Sequence, residues 1–264
     1  GATVLNYKQY NRVGRAAVIK DFSDDLPEVQ VMGKEFFVPF KNLGDSYGYS
    51  VDEVAAAVLA AQNGAPGPSL EQRRAIAARD VIEFGIDDII ALGDTDTGMT
   101  GMLNAPNALT YVVAPNAAGS STAWANKTGS EILNDLIGVS NFVVDQTNDV
   151  EKPDTVVVPV TQYGLLTKPL QTGSPVTVAQ HFLANNPYIK SIEKWSKVKG
   201  IGVGGTDRMV CYRRDPMALE CHISREFEQM PPQLKNLKWM IACHSKTAGV
   251  AVYYPRSMVY ADGI

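Results

Sequence analysis

Residues 69–93 read SLEQRRAIAARDVIEFGIDDIIALG, and the fold turns on that stretch. Ala75, Ala78, Ile82, Gly85, Ile86 and Ile89 recur at the three- and four-residue spacing of one helix face. Arg73, Asp80, Glu83 and Asp87 fall on the other side. Ser69 and Gln72 have the spacing of a capping box, in which a hydroxyl caps the first turn and the glutamine reaches back. Gly93 supplies the stop. A single helix over 70–92 is predicted, roughly 35 Å long at the usual rise per residue.

Upstream, Gly64-Ala65-Pro66-Gly67-Pro68 separates this helix from a shorter one, which opens on a second box, Ser50-x-x-Glu53. The first fifty residues read as extended structure. Ala16 to Phe22 and Val29 to Phe40 are strand-like runs joined by the polar tip Ser23-Asp24-Asp25-Leu26-Pro27. In the second run both faces are apolar: Val29, Val31 and Phe37 alternate with Met32, Phe36, Val38 and Phe40. A solitary hairpin cannot hide two apolar faces from water, so it requires a neighbour on each side, within the chain or outside it.

Downstream, further capping boxes stand at Thr128-x-x-Glu131 and Thr177-x-x-Gln180. The first opens a helix from Ser130 to about Asn141 with Ile132, Leu133, Leu136 and Ile137 on one face. Strands are predicted at Leu109–Ala114, Asp154–Val160, Arg208–Arg213, Met217–Ile223, Leu237–His244 and Val250–Tyr254. Arg214-Asp215-Pro216 reads as the turn between two of them. A hairpin, then helices, then mixed strands and helices argue for an α+β fold and against a repeating βαβ order.

With 264 residues, 45% apolar and 20% charged, the chain can build one large domain or two modest ones. Its net charge is −4, and its basic residues cluster no further than Arg73-Arg74 and Arg213-Arg214. A protein that grips nucleic acid by its phosphates needs a basic stripe. A mildly acidic one lies beside DNA without adhering to it. Three cysteines exclude a complete disulfide framework and imply a reducing compartment. The longest apolar run, Val54 to Ala61, is too short to span a bilayer, and no signal pattern opens the chain. A soluble protein, made in the cytoplasm and without a membrane partner, is expected. The chain begins Gly1-Ala2-Thr3 with no Met, so a segment upstream is expected to be missing through trimming, disorder or proteolytic maturation.

Candidate chemistry is thin. Asp96-Thr97-Gly98 is the tripeptide of aspartic proteases, but no second copy exists to share a proton. Asp94 to Gly98 begins like a calcium loop, yet Met99 stands where Gly belongs and Ala105 where the bidentate Glu belongs. Cys221-His222 and Cys243-His244, with Cys211 and His181, invite a zinc reading. Adjacent residues on a strand point to opposite faces, so neither pair closes on one ion. Gly202-Val203-Gly204-Gly205 precedes a strand and has no helix N-terminus to hold a phosphate. Gly119-Ser120-Ser121 lacks the second glycine of a nucleophile elbow. The reading is of a protein that is not an enzyme, with no cofactor and no metal.

Gly33-Lys34-Glu35-Phe36-Phe37-Val38-Pro39-Phe40, followed by Tyr47-Gly48-Tyr49-Ser50-Val51-Asp52-Glu53, resembles the passage from extended loop to first helix in tailed-phage major capsid proteins of the Hong Kong 97 type. Arg79-Asp80 through Ile89-Ile90-Ala91-Leu92-Gly93-Asp94, with Gly98 and Gly101-Met102-Leu103-Asn104, is similar to the spine helix and following turn of those proteins and of encapsulins. Gly249 to Pro255, running on to Asp262-Gly263-Ile264, resembles the closing strand. The similarities keep their order from about residue 15 to the end.

The resemblance implies an N-terminal arm remnant at 1–14 and an extended loop at 15–48. It implies a peripheral domain at 49–161 and 236–264, and an axial domain at 162–235. It implies a subunit that self-assembles as pentamers and hexamers of an icosahedral shell around double-stranded DNA, held without sequence-specific binding. Portal and decoration proteins are further partners it allows, and the virion is the destination. The alternative within the same fold is an encapsulin-type nanocompartment shell. Contacts between subunits are expected in the loop, at Lys20, Asp21, Asp24, Asp25, Lys34, Glu35 and Phe36.

Overall fold

The computed structural model describes residues 3–13, 30–62, 70–171, 173 and 175–264. Ala16 to Phe22, the hairpin tip, and the Ser69 cap lie outside them. Strand β1 (Val4–Val13) pairs with β2 (Gln30–Pro39) as a two-stranded ribbon. Next come β3 (Lys41–Ser50), α1 (Val51–Gln62) and α2 (Leu70–Leu92), then the minimal hairpin of β4 (Gly93–Asp94) and β5 (Met99–Thr100). The chain continues through β6 (Leu109–Val112), α3 (Gly129–Gln146), β7 (Thr155–Val158), α4 (Val160–Leu165), α5 (Val178–Asn185) and β8 (Ser191–Lys194). It closes with β9 (Arg208–Tyr212), β10 (Leu219–Gln229), β11 (Gln233–Lys235), β12 (Lys238–Val252) and β13 (Met258–Asp262).

The chain divides into two compact units, one of Gly1–Tyr7, Phe36–Met102 and Cys221–Ala251, the other of Lys8–Glu35, Leu103–Glu220 and Val252–Ile264. Compactness thus divides the chain at other points than the boundaries implied by resemblance. Peripheral and axial, by contrast, are places in a shell.

In the first unit, β12 is the central strand. β3 lies antiparallel to it over ten residue pairs, from Lys238 opposite Ser50 to Thr247 opposite Lys41, and β10 and β11 take its other edge. Helix α2 has the bounds read from the sequence, and its apolar stripe faces this sheet. Ala78 and Ile82 are buried with Ile241 and Cys243, and Tyr47, Tyr49, Ile86 and Phe227 pack around them. A buried Ile such as Ile82 contributes about 1.5–3 kcal/mol relative to exposure. Gly93 ends the helix in the left-handed region at φ +74, where a Cβ would lie 2.1 Å from the Met99 carbonyl oxygen. Asp94 to Gly98, the stretch with protease and calcium overtones, is the turn of the β4–β5 hairpin.

Helix α1 departs from the usual amphipathic rule. Nine of its twelve residues are apolar or alanine, yet none of those whose burial is described is buried, and Val51, Val54, Val58 and Leu59 stand exposed. Its capping box holds: Ser50 N donates to Glu53 Oε2 at 2.9 Å, and Glu53 N to Ser50 Oγ at 3.2 Å. A twelve-residue helix is marginal alone in water, so its anchorage decides whether it persists.

The second unit is a five-stranded mixed sheet in the order β6-β13-β9-β7-β8. β13 runs parallel to β6 and antiparallel to β9, while β7 runs antiparallel to β9 and parallel to β8. α3 and α5 share its core: Ile132, Leu133, Leu136, Val139 and Val143 join Val178, Phe182, Val156, Val158, Met209 and Val259. α3 runs on to Gln146, and Ile137, counted with its buried face, is exposed. The buried stripe continues through Val139, Ser140, Val143 and Val144, which rotates its centre away from Ile137. Both capping boxes, Thr128 with Glu131 and Thr177 with Gln180, are formed.

Candidate assembly surface

The residues expected to make contacts sit on the β1–β2 ribbon, or outside the described residues. Lys20, Asp21, Asp24 and Asp25 belong to the latter. Lys34 is exposed on β2. Glu35 pairs with Lys8 across the ribbon at 2.8 Å. Phe36 is half-buried and stacks on Tyr7, with ring centroids 5.5 Å apart and planes 16° from parallel. Tyr7 is itself buried, which pushes its phenol above the ordinary range despite a hydrogen bond with Thr100.

Strand alternation therefore sorts the two neighbouring phenylalanines. Tyr7, Gln9, Phe36 and Val38 face inward, and Val4, Tyr10, Glu35 and Phe37 face outward. Phe37 is 66% exposed, a large apolar group facing away from the packed side of the ribbon. The sequence shows two apolar faces; the structure shows which one is packed.

Ion pairs pin the elements of the first unit. Arg74 on α2 grips Glu53 with two hydrogen bonds, 2.7 and 3.0 Å, and also donates to the Gly48 carbonyl. The Arg74 guanidinium and the Ser50 backbone hold the Glu53 carboxyl down at about 2. Lys41 meets Asp94 at 2.5 Å, and with Thr97 it lowers that carboxyl too.

A shallow groove of about 320 Å³ runs along the same unit, lined by Ala75, Ile76, Arg79, Phe227 and Gln229. Val81, Phe84 and Leu92 are also exposed along the outer side of α2.

The groups once considered for metal or catalysis are scattered. Cys243 is buried beneath α2, while His244 lies on the opposite face of β12, 2.5 Å from Arg225 and 3.6 Å from Glu228. Cys211 is buried in the five-stranded sheet, and Cys221 is exposed on β10. Among the described residues, no three His, Cys, Asp or Glu side chains gather to hold a metal. No helix among them is long and apolar enough to cross a membrane. The most buried charges, Lys127 and Asp135, are paired at 2.6 Å within the core and built into it by Trp124, whose indole N–H donates to Asp135 at 2.9 Å.

Among the described residues no three His, Cys, Asp or Glu side chains converge, and the sequence places the chain in a family. Residues 14–264 match the model of the major capsid proteins. The chain belongs to that family. No curated protein sequence matches it. Among solved structures, the capsid of Myoviridae phage XM1 is similar at 21% identity and TM-score 0.77, over 100% of this chain and 86% of that one. A virus-like particle from Pyrococcus furiosus follows at 12% identity and TM-score 0.63, covering 99% and 87%. The capsid of cyanophage P-SCSP1u matches at 9% identity and TM-score 0.60, covering 99% and 84%. At these identities the likeness is one of fold, and it is the α+β capsid fold of the Hong Kong 97 type. Family and fold together favour a phage capsid subunit over a nanocompartment shell. The major capsid proteins are structural proteins.

Proposed function

We propose that copies of this chain, as pentamers and hexamers, close into an icosahedral head shell around double-stranded DNA, and that the ribbon lies across a neighbouring copy. The observation that carries this reading is the ribbon's outer face, where Phe37 and Val4 stand uncovered while the inner face is packed. Each copy is made in the host cytoplasm and ends in the virion. The region 49–161 with 236–264 takes the peripheral place, 162–235 the axial place, and 15–48 is the extended loop, whose hairpin from about Ala16 to Phe40 projects from the subunit. Lys20, Asp21, Asp24, Asp25, Lys34, Glu35 and Phe36 belong to the contact region on this reading. Portal and decoration proteins are partners of the finished shell. DNA is held by confinement, consistent with a net charge of −4.

The test removes residues 21–34 and closes the gap with a short glycine linker. Circular dichroism is expected to keep the signal of the folded chain, because α2 and β12 pack on each other without this segment. Sedimentation is expected to show loss of assembly, since each copy forfeits apolar interface worth roughly 25 cal/mol per Å². Outright unfolding would make the ribbon part of the core. Shells of parental size would make it dispensable.

A further inference from the structure

Phe37 is 66% exposed on β2, and Ile76 is 59% exposed in the groove between α2 and β10. A volume of about 320 Å³ is at the low end of ligand pockets. The lining offers apolar carbon, one guanidinium and one amide, which is a seat for an aromatic side chain with a carboxylate beside it.

We propose that Phe37 of one copy inserts into the Ala75–Ile76–Phe227 groove of a second copy, with Glu35 of the first facing Arg79 of the second. This contact rests on the shell reading above and adds to it a defined seat.

Spacing and charge both support the pairing. Glu35 and Phe37 lie two residues apart on the same side of a strand, roughly 7 Å along it. Ile76 and Arg79 lie three apart on one helix face, about 5–6 Å between their Cβ atoms. A strand laid along the helix can therefore match phenylalanine to isoleucine and glutamate to arginine together. The present partners do not oppose the exchange. Glu35 is held by Lys8 at 2.8 Å and Arg79 by Glu83 at 2.7 Å, both exposed pairs of the weak kind. Burying an aromatic in the centre of a contact with a charge pair at its edge is how interfaces concentrate their energy.

The experiment starts from a chain carrying Cys221→Ser, which removes the exposed thiol. Phe37→Cys and Ile76→Cys are added together, particles are assembled under reduction, verified by electron microscopy, then oxidised. Non-reducing gels are expected to show a ladder of linked copies, with each single variant staying monomeric. Phe37→Cys with Val112→Cys, where Val112 is more exposed still at 85% but lies on β6, is expected to give none. In parallel, Glu35→Arg and Arg79→Glu are each expected to lower particle yield about tenfold, and the two together to restore it. Particles without a ladder, or a ladder as strong with Val112, would overturn the seat and leave the shell intact. If the cysteine chain folds but forms no particles, the charge exchange decides: restored yield supports the contact, and unrestored yield overturns it. Absence of particles from the parent chain would remove the shell reading itself, and this contact with it.

Discussion

Arg74 Nη2 lies 2.7 Å from Glu53 Oε1, so the long helix holds the first turn of the short one by a bidentate clamp. Glu53 is also the reciprocal partner of Ser50 in its capping box. One carboxylate thus starts α1 and fastens it, and among its described residues α1 has no buried side chain to fasten it otherwise.

The clamp should make α1 acid-sensitive. The folded carboxyl titrates at about 2, below its ordinary 4.5, with Arg74 the main cause. A depressed carboxylate contributes stability that is complete above the unfolded value and is lost as pH falls through the folded one. Amide exchange at residues 52–58 is expected to quicken as pH drops from about 5 towards 2, after correction for intrinsic rates. Glu53→Gln should show fast exchange already at pH 7. Equal protection in parent and variant would show that the clamp does not hold the helix.

Lys127 and Asp135 set a different test because both are buried. Burial raises the Asp135 carboxyl above its ordinary value, outweighing the opposing pull of Lys127 and Trp124. Lys127→Met removes the cation and leaves a carboxylate in the core, which should cost about 3–5 kcal/mol in urea unfolding at pH 7. A raised carboxyl favours the folded state when protonated, so the deficit should shrink as pH falls below that raised value. Lys127→Met with Asp135→Asn should recover part of the loss at pH 7. A deficit that does not change with pH would place the cost in packing.

Much of this architecture is legible in the sequence where local signals are strong. α2 keeps its read bounds because its stripe, its cap spacing and Gly93 agree. β7 and β9 are apolar runs that stay strands. β3 falls within the first fifty residues that read as extended, but KNLGDSYGYS has two glycines and little apolar alternation to mark a separate strand; ten pairings with β12 impose its conformation. β12 runs unbroken from Lys238 to Val252, through the gap between the predicted strands Leu237–His244 and Val250–Tyr254. Ser245 and Thr247 are buried there, and donate their hydroxyls to the carbonyls of Arg225 and His222 at 2.8 and 3.0 Å. Those acceptors are twenty and more residues away, and nothing local announces them. On the β1–β2 ribbon, alternation alone separates Phe36 from Phe37, but only the packing of Tyr7 on Phe36 says which of them faces out. The groove between α2 and β10 has no sequence signal, because its walls come from distant stretches.

Leu237 offers a gain of stability. β11 and β12 pair Lys235 with Lys238, leaving the two-residue turn Asn236-Leu237 with φ of 50 and 59. Such turns strongly prefer Asn-Gly, since a side chain at positive φ meets its own backbone. Leu237 is 77% exposed, so its removal sacrifices little burial. Leu237→Gly is expected to raise unfolding stability by roughly 0.5–1 kcal/mol, read from the urea midpoint. No change or a loss would mean that the leucine makes a compensating contact in the folded chain.

The last expectation concerns DNA and the free subunit. Lys190, Lys194, Lys197 and Lys199 stand within ten residues, along and just beyond β8 at the edge of the five-stranded sheet. This is the densest basic stretch in a chain of net charge −4. Lys194 and Lys199 are exposed, and Glu193 is exposed beside them. Four lysines neutralise at most four phosphates, so the logarithm of duplex affinity should fall with the logarithm of salt at a slope no steeper than roughly −3.6. Binding should therefore appear at low salt and be weaker than micromolar at physiological salt. Lys194→Gln with Lys199→Gln should flatten the slope by nearly half without changing particle assembly. Submicromolar binding of a short duplex at physiological salt, or a slope untouched by the two substitutions, would show that the subunit holds DNA by some other surface than this edge.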